Sequence, residues 1–499
     1  MSCCLKIDAA DNVATALRDL NKGTVATIGE DRIRLLNDIL QGHKFAVANI
    51  EPGTDVIKYG ASIGRASQAI AVGEHVHTHN LKTKLDSSFN YKYQPQPVAS
   101  LLKPDVLTFM GYLRADGQVG IRNEIWVLPT VGCTNRVAGI IAEQARNALQ
   151  SEPWAENIDG IYAFPHQFGC SQLGDDHLNT QKLLVSLAKH PNAAGVLFVG
   201  LGCENNQISG LQSALGDYDP NRIKFLVNQE VEDEITVGTG LVVELAKQAS
   251  SCFRQPLPLK ALKLGLKCGG SDGLSGITAN PLVGWISDIV IDSGGISALT
   301  EVPEMFGAET LLMKRATNED VFNKTVELIN DFKDYFIKNE QPVYENPSPG
   351  NKAGGITSLE DKSLGCTQKA GTSPVVDVLK YGDRLKSPGL NLLSAPGNDL
   401  VASSALAAAG CQVVLFTTGR GTPFGSFVPT MKISTNTDLA TRKPNWIDFN
   451  AGVLVEDQDM DTVVKEFTDY IIKVASGELV NNEKMNFREL AIFKSGITL

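Results

Sequence analysis

Three of the seven histidines in this 499-residue chain fall at positions 75, 77 and 79. Residues two apart on a β-strand point to the same face, so a strand here would align the imidazoles of His75, His77 and His79. Such rings are ready metal ligands, with the third either a ligand or a hydrogen-bonding partner of one. A polar strand face in water is the alternative. We predict a metal site at these three histidines.

A second group of polar residues occupies the segment HQFGCSQLGDDH at 166–177. We predict His166 and His177 as candidates for a catalytic acid and base, because such groups gather in loops that follow strands. Lys352 is a third candidate, since a lysine beside a divalent cation can have its pKa lowered enough to act as a base. The alternatives are helix capping by the two aspartates of the segment and an ordinary solvated lysine.

Two glycine-rich loops are suited to holding a carboxylate. The loop CGGSDGLSG at 268–276 offers backbone N–H groups together with Ser271 and Asp272. The loop TGRGTP at 418–423 adds Arg420, whose guanidinium can bind a carboxylate through two hydrogen bonds. We predict Ser271, Asp272 and Arg420 as substrate-binding residues, with a flexible turn as the alternative for each loop. Lys369, in a glycine-rich loop like Lys352, is a further candidate base, and Glu301, Glu304, Glu360 and Asp361 are acid–base candidates with weaker individual support.

Five of the nine cysteines stand beside a glycine, namely Cys133, Cys170, Cys203, Cys268 and Cys366. They lack the short CxxC spacing of zinc ribbons and ferredoxin clusters. The first three each follow a predicted strand, so their thiols would face one crevice if the strands are neighbours. An iron–sulfur cluster assembled from distant thiols therefore stays open, beside the simpler reading of small residues at tight turns.

The elements that must position these residues change character near residue 90. Residues 1–90 consist of short apolar segments separated by turns, and the polar, proline-containing stretch 91–107 is typical of a linker. In 108–255 strands alternate with helices, which predicts a parallel sheet covered by helices, and 256–499 repeats the theme less regularly. We therefore predict an α/β protein, with a small N-terminal β domain followed by a large region of parallel sheets in two subdomains.

Composition and charge exclude several classes of protein. The formal net charge is −11 with no basic stripe, so nucleic acid and anionic membranes are poor partners. Asp8 and Asp11 stand where a signal peptide needs apolar residues, and no apolar run approaches the roughly 18 residues of a membrane helix. Neither GxxxxGK[ST] nor a strand-linked GxGxxG indicates a nucleotide. We expect a cytoplasmic homo-oligomer with reduced thiols and a small-molecule substrate.

Taken together, the motifs resemble a known family. GEHVHTHN at 73–80 resembles the N-terminal SAF-type (β-clip) domain of altronate and galactarate dehydratases. Segments of the remaining chain resemble the large domain of that family: LPTVGC at 128–133, GCSQLGDDH at 169–177, GCENNQ at 202–207, CGGSDG at 268–273, PSPGNKAGG at 347–355 and SAPGND at 394–399. The resemblance covers nearly the whole chain. Glu124 departs from it, because family members often carry an aromatic residue there.

The resemblance implies a metal-dependent hydro-lyase that converts D-altronate to 2-dehydro-3-deoxy-D-gluconate in hexuronate (galacturonate) catabolism. It also implies Fe²⁺, with Mn²⁺ as a substitute and an iron–sulfur cluster still open. A divalent ion would stabilise an enolate-like intermediate while a base takes the C2 proton and an acid protonates the departing C3 hydroxyl. The alternatives are a dehydratase of galactarate or another sugar acid, an aldolase or isomerase of related acids, and a non-enzymatic carbohydrate-binding or sensor protein.

Overall fold

A computed structural model describes residues 2–85, 90–96, 107–456 and 458–499. The linker predicted at 91–107 lies largely outside the described residues, because 97–106 are not among them. Within the described ranges, no helix combines the length and the apolar character needed to cross a membrane.

The N-terminal part is built from short strands, because turns such as Glu51-Pro52-Gly53 interrupt the chain every few residues. The strands form a four-stranded sheet in the order β1-β2-β5-β8, a three-stranded sheet β6-β7-β9 and the hairpin β3-β4. All their pairings are antiparallel. The bounds are β1 Cys4–Leu5, β2 Val13–Ala16, β3 Val25–Ile28, β4 Asp31–Arg34, β5 Lys44–Ala46, β6 Asp55–Lys58, β7 Ala61–Ala66, β8 His75–Val76 and β9 Leu81–Lys82.

The middle part contains a parallel sheet in the order β13-β12-β14-β15. Its central strands are continuous apolar runs, as expected for strands covered on both faces. A small antiparallel sheet, β11-β10-β16, lies beside it. The bounds are β10 Thr108–Leu113, β11 Val119–Gly120, β12 Glu124–Pro129, α1 Asn135–Leu149, β13 Gly160–Ala163, α2 Gly174–Ala188, β14 Ala193–Gly200, α3 Ile208–Leu215, β15 Ile223–Val227, α4 Glu234–Ala249 and β16 Gln255–Pro258.

The C-terminal part is organised around a seven-stranded sheet in the order β19-β20-β18-β17-β21-β22-β23, with every pairing parallel. The strands are β17 Lys263–Cys268, β18 Ile296–Leu299, β19 Val375–Leu379, β20 Gly389–Leu393, β21 Val413–Thr418, β22 Thr430–Ser434 and β23 Phe449–Asn450. The helices are α5 Ala279–Asp292, α6 Glu309–Met313, α7 Glu319–Lys338, α8 Pro349–Ala353, α9 Leu359–Cys366, α10 Asp399–Ala408, α11 Thr437–Arg442, α12 Met460–Ala475 and α13 Asn481–Lys484.

A shared apolar core joins the two parallel sheets. Trp126 and Phe198 of the four-stranded sheet belong to the same buried cluster as Leu406 of α10 and Phe427 of the C-terminal part. The opposite face of the four-stranded sheet is covered by α1 and α4. Glu124 accepts hydrogen bonds from Trp126 Nε1 (2.8 Å) and Arg488 Nη1 (2.9 Å), so this buried carboxylate ties the C-terminal segment to the sheet. An aromatic residue at position 124 could not form that ion pair.

Candidate active site

Four histidine side chains gather at one edge of the N-terminal part. Strands β5 and β8 pair with Phe45 opposite His75, which brings His43, just before β5, beside the predicted run. The Nδ1 atom of His43 lies 3.0 Å from Nε2 of His75, and the neighbouring ring centroids within the group are 5.1–5.6 Å apart. We call His43, His75, His77 and His79 the histidine cluster.

The predicted strand over 75–80 is shorter than expected, which changes how the rings meet. Strand β8 ends at Val76 and a turn follows. The side chain of Asn80 fixes this turn, since its Oδ1 accepts from the His77 backbone N–H (2.9 Å) and its Nδ2 donates to the His75 carbonyl (2.9 Å). The histidines therefore come together through a turn rather than through strand alternation.

The imidazoles of His43, His75 and His77 are held neutral. Burial lowers the pKa of His75 to about 4 and that of His77 to about 3, and the neighbouring positive charges of histidines and of Lys44 act in the same direction. Burial also lowers the pKa of His43. The Nε2–H group of His43 donates to the Ala353 carbonyl (3.2 Å), so its Nδ1 accepts from His75 Nε2–H. Neutral rings are the form that binds metals.

The chemistry of the histidine cluster suits a divalent ion. His77 is hydrogen-bonded through Nδ1, to Thr357 Oγ1 (3.0 Å), which leaves its Nε2 lone pair available. No three ligand nitrogens of these four described rings lie within 4.8 Å of one another. In the described part of the chain, the three ligand atoms that all lie within 4.8 Å of one another belong to Cys268, Glu304 and Cys366 instead. Binding an ion between the histidines therefore requires small rotations of the rings.

The histidine cluster lies against the loop that follows α8. His43 bonds to Ala353 and His77 to Thr357, both across the contact between the N-terminal and C-terminal parts. Next to them, Lys44 Nζ donates to the Gly355 carbonyl (3.0 Å) and to Thr357 Oγ1. The site is therefore shared between the N-terminal strands and the loop 353–357.

A buried ion-pair triad fixes this contact. Asp361, near the start of α9, accepts hydrogen bonds from Lys44 Nζ (2.8 Å) and Lys58 Nζ (3.1 Å), and the three side chains are 1–2% exposed. Burial alone would raise the pKa of the Asp361 carboxyl, but the two ammonium groups hold it well below its usual range. Burial lowers the pKa of Lys44 to about 8 although Asp361 opposes that shift. The carboxylate therefore bridges the lysine of β5 and the lysine of β6.

Glycines allow the backbones of the two parts to touch. A Cβ atom on Gly273 would lie 1.8 Å from the carbonyl oxygen of Gly42, and one on Gly355 would lie 2.4 Å from the same oxygen. Such distances exclude any side chain. Gly273 and Gly355, in the glycine-rich loops at 268–276 and 350–355, are therefore required for the close approach of these loops to the N-terminal part.

The predicted substrate-binding residues converge on the same place. The side chain of Asn351, one residue before Lys352, donates to the Ser271 carbonyl (2.9 Å). A Cβ on Gly350 would lie 3.8 Å from Arg420 Nε. The loops that carry Ser271, Lys352 and Arg420 are thus neighbours. Ser271 is buried, Lys352 is half-buried and Arg420 is exposed.

Asp272, predicted as a substrate-binding residue, has hydrogen-bond partners within the protein. Its buried carboxylate accepts hydrogen bonds from Thr435 Oγ1 (2.8 Å), Asn436 Nδ2 (3.2 Å) and Ser275 Oγ (3.1 Å). Burial raises the pKa of this carboxyl. Its oxygens are occupied in joining the loop 268–276 to Thr435 and Asn436, so in this arrangement the carboxylate is engaged within the protein.

A buried acid–base cluster lies where β17 and β18 end. Glu304 Oε2 accepts hydrogen bonds from the thiols of Cys268 (3.1 Å) and Cys366 (3.2 Å), and Lys362 Nζ lies 2.8 Å from its Oε1. Lys369 Nζ is 2.7 Å from Cys268 Sγ. Burial would raise the pKa of Glu304, but Lys362 and the neighbouring lysines keep it below its usual range. An ionised carboxylate beside thiol and ammonium donors can pass protons.

A small cavity joins this acid–base cluster to the loop at 268–276. Its lining includes Lys58 and Tyr59 from the N-terminal part, Ser271 and Asp272 from the loop, and Cys366. It has about 10 Å³ of space for solvent, enough for roughly one water molecule. The carboxyl ends of parallel strands are where α/β sheets bind ligands. A six-carbon ligand could enter only if the N-terminal part moved away.

His166 and His177 lie in the middle part, on the loop after β13 and on α2. His166 is buried, its Nε2–H donates to the Pro129 carbonyl (2.8 Å) and its Nδ1 accepts from the Phe168 backbone N–H (3.2 Å). Both ring nitrogens are therefore occupied by backbone groups. The Nδ1 atom of His177 is buried without a hydrogen-bond partner. Their hydrogen bonds connect neither histidine to the histidine cluster.

The sequence alone favours neither a site role nor a surface role for His43, and it supports Glu304 only weakly as an acid–base candidate. His43 is isolated in the sequence, and its partner Ala353 lies 310 positions away. Cys268 ends one strand and Glu301 follows the next, and residues at the ends of neighbouring parallel strands meet at one edge of the sheet. That position is the sequence signal that could have identified the acid–base cluster. Glu360 binds Thr83 Oγ1 (2.9 Å) and the Lys84 backbone N–H (2.8 Å), so it attaches the end of the N-terminal part.

Three family models match consecutive parts of the chain. Residues 2–84 match the altronate/galactarate dehydratase SAF domain, and residues 111–250 match the second domain of D-galactarate dehydratase/altronate hydrolase. Residues 259–498 match the C-terminal region of D-galactarate/altronate dehydratase. Together they account for all three parts of the fold.

Full-length relatives agree with these matches. The chain is 57% identical over 496 residues to altronate dehydratase of Bacillus subtilis (strain 168) and 55% identical over 495 residues to altronate dehydratase of Escherichia coli (strain K12), covering 99% of both chains in each case. It is 33% identical to galactarate dehydratase (L-threo-forming) of Escherichia coli (strain K12), over 95% of this chain and 93% of that one.

Proposed function

Because the chain belongs to the altronate and galactarate dehydratase family, we propose that it removes water from D-altronate to give 2-dehydro-3-deoxy-D-gluconate. The observation that carries the proposal is the full-length identity of 55–57% to two altronate dehydratases, against 33% to a galactarate dehydratase. A dehydratase of galactarate or another sugar acid is the second candidate, because members of one family share the chemistry and differ in the acid they accept.

We propose that the histidine cluster holds Fe²⁺, or Mn²⁺ in its place, through at least two of His75, His77 and His79. When bound, the ion supplies a Lewis acid for the carboxylate and the C2 hydroxyl of the sugar acid. His43 orients His75 by accepting its Nε2–H, as partners of metal-bound histidines commonly do. The depressed pKa values of His75 and His77 support the proposal, since the rings need not lose a proton to bind.

The exposed guanidinium of Arg420 is the proposed partner of the substrate carboxylate, and the loop at Ser271 borders the same space. The reaction needs a base for the C2 proton and an acid for the C3 hydroxyl. Lys352 is adjacent to Ala353, which bonds to His43, so it is placed better than His166 or His177 to serve one of these roles. The carboxylate of Glu304 and its thiol and ammonium neighbours are the proposed second group.

The proposed reaction needs no oxidant or reductant. The base takes the proton from C2, the C–O bond at C3 breaks as the acid protonates the leaving hydroxyl, and one water is released. The resulting enol takes a solvent proton at C3 and becomes the 2-keto acid. Each turnover thus returns the base and the acid to their starting protonation through exchange with solvent.

The test is anaerobic incubation of the Fe²⁺-loaded protein with D-altronate and, separately, galactarate, followed by detection of a 2-keto-3-deoxy acid. We expect product from altronate at a kcat/KM well above that for galactarate. His77→Ala should lower both bound iron and turnover, whereas Thr78→Ala, in the same turn, should change neither. If His77→Ala kept full iron and full turnover, the metal assignment would be wrong.

A non-enzymatic sugar-acid binding protein is the alternative from another class. It predicts that altronate binds to the iron-loaded protein, for example in a calorimetric titration, while no keto acid forms over hours. The buried acid–base cluster favours the enzyme, because a binding protein has no need of an ionised Glu304 beside two thiols.

A further inference from the structure

The three Gly-Cys motifs of the middle part meet at one edge of its parallel sheet. Cys133 follows β12, Cys170 follows β13 and Cys203 follows β14, and the strand order β13-β12-β14 makes these strands direct neighbours. We propose that Cys133, Cys170 and Cys203 form a three-thiolate site for a cubane iron–sulfur cluster. This site is separate from the histidine cluster and stands independently of the proposed activity.

Hydrogen bonds join the three cysteine loops to one another. The Gly132 backbone N–H donates to the Phe168 carbonyl (2.9 Å), which joins the first loop to the second. The Asn206 backbone N–H donates to the Gly169 carbonyl (2.9 Å), joining the third loop to the second. Asn206 Nδ2 also donates to the Thr130 carbonyl (3.0 Å), joining the third loop to the first. Each residue of these contacts lies within three positions of a cysteine.

The glycine before each cysteine permits this close arrangement. A Cβ on Gly169, where φ is +100°, would lie 2.1 Å from the Thr130 carbonyl oxygen. A Cβ on Gly202, where φ is +124°, would lie 2.7 Å from Gln229 Oε1, and one on Gly132 would lie 3.1 Å from the His166 carbonyl oxygen. Gly132 and Gly169 therefore let the first two cysteine loops approach each other, and Gly202 lets the third loop approach Gln229.

Exposure separates these thiols from the others. The structure describes all nine cysteines, and Cys133, Cys170 and Cys203 are the three that are exposed. Each lies on the loop that leads from its strand into a helix, Cys133 before α1, Cys170 before α2 and Cys203 before α3. Buried small residues at tight turns, the simpler reading of the Gly-Cys pattern, would not be exposed. Three exposed free thiols on hydrogen-bonded neighbouring loops are therefore available to bind a metal cluster.

The spacing favours a cluster over a single ion. Tetrahedral thiolates on one ion, with metal–sulfur bonds of about 2.3 Å, lie about 3.8 Å apart. In the described part of the chain, these three sulfurs do not form a group whose atoms all lie within 4.8 Å. A cubane binds each thiolate to a different iron, so it holds the sulfurs farther apart.

Nearby donors point at two of the sulfurs, and the carboxylate of Glu204, next to Cys203, is engaged in other hydrogen bonds. Gln229 Nε2 lies 3.7 Å from Cys203 Sγ, and Ser171 Oγ lies 3.8 Å from Cys170 Sγ. The carboxylate of Glu204 turns to the Thr130 hydroxyl (2.6 Å) and the Gly202 N–H (2.6 Å). The fourth iron is thereby left for an oxygen donor from solution, such as the carboxylate of a hydroxy acid.

The test is anaerobic reconstitution of the full chain with equal amounts of ferrous and ferric iron and a matching amount of sulfide. Two ferrous ions, two ferric ions and four sulfides make one cubane core without further oxidant. We expect about four irons and four acid-labile sulfides per chain, with broad visible absorption that bleaches on reduction. Adding a hydroxy acid should shift the electron paramagnetic resonance spectrum of the reduced cluster.

The matched variants are a triple replacement, Cys133→Ser with Cys170→Ser and Cys203→Ser, and the control Cys252→Ser, which changes a half-exposed free thiol of the same part. The triple variant should lose sulfide and absorption to background while its circular dichroism stays native, and the control should keep both. Equal sulfide in the triple variant, no sulfide in the wild type, or one iron per chain without sulfide would each overturn the proposal. None of these readouts uses altronate turnover, so this proposal and the proposed function fail separately.

Discussion

The replacement Asp361→Asn should loosen the N-terminal part from the C-terminal sheet. The Asp361 carboxylate accepts from Lys44 Nζ at 2.8 Å, Lys58 Nζ at 3.1 Å and the Thr357 backbone N–H at 3.1 Å. Asparagine keeps one accepting oxygen and turns an amide N–H₂ toward an ammonium group. The two lysines then remain buried with no opposite charge from this side chain, and removing one partner of a buried ion pair costs about 3–5 kcal/mol.

That magnitude is a large fraction of the stability of a typical domain, about 5–15 kcal/mol. Since roughly 1.4 kcal/mol is a factor of ten, backbone amides in β5 and β7 should exchange about 100-fold or more faster than in the wild type. Hydrogen exchange read by mass spectrometry is the suitable assay, because the four tryptophans, at 126, 154, 285 and 446, all lie outside the N-terminal part. Turnover should fall as well, since His77 loses its contact to Thr357.

Asp55→Asn is the matched control, because Asp55 also pairs with two cations but is exposed. Its carboxylate lies 2.7 Å from Lys84 Nζ and 3.5 Å from Arg65 Nε, with the aspartate side chain 35% exposed. Exposed pairs contribute about 0–1 kcal/mol, so exchange in the same strands should change less than about tenfold. Equal exchange rates in Asp361→Asn and Asp55→Asn would contradict this prediction.

Three further predictions concern packing, pH and the C-terminal ion pair. Gly273→Ala places a methyl group 1.8 Å from the Gly42 carbonyl oxygen, so it should abolish turnover and raise hydrogen exchange in β5. Gly240→Ala, on α4 with nothing within 4 Å of the added methyl group, should instead stabilise the folded protein by about 0.5–1 kcal/mol. Burial raises the pKa of Asp448 to about 6, so the protonated native state is favoured over an unfolded chain that titrates near 3.9. This contribution is full below about pH 4 and lost as pH rises through about 6, and Asp448→Asn should flatten that part of a plot of thermal midpoint against pH. Glu483→Ala leaves the buried Arg122 guanidinium without its carboxylate and should cost about 3–5 kcal/mol in urea unfolding, a result contradicted by a loss below about 1 kcal/mol.

The large-scale organisation could be predicted because it rests on local pattern. The apolar runs before Cys133, Cys170 and Cys203 predicted strands of a parallel sheet, and the structure has these strands side by side. The resemblance to the altronate and galactarate dehydratases is confirmed over the full length of the chain. Strand ends were harder, because the end of β8 depends on the side chain of one residue, Asn80, which competes with the strand for the backbone.

The composition of the site was less predictable, because it depends on contacts between distant parts of the chain. His43 bonds to a residue 310 positions away and Lys44 to one 317 positions away. Asp272 shows the same dependence on distant residues. Its position in a glycine-rich loop predicted a ligand-binding carboxylate, yet Thr435 and Asn436, far along the chain, occupy its oxygens. Residue type and spacing predict candidates, and burial with long-range partners decides among them.

In the proposed reaction, groups of the N-terminal part and of the C-terminal sheet together remove the C2 proton and the C3 hydroxyl of a sugar acid. The test is to let the protein convert D-altronate in D₂O and to locate hydrogen and deuterium in the product by nuclear magnetic resonance. The proposed reaction predicts a 2-keto-3-deoxy acid with one deuterium at C3 and a slower rate when C2 carries deuterium in the substrate. Retention of the original C2 hydrogen in the product, or no keto acid from the iron-loaded protein, would contradict it.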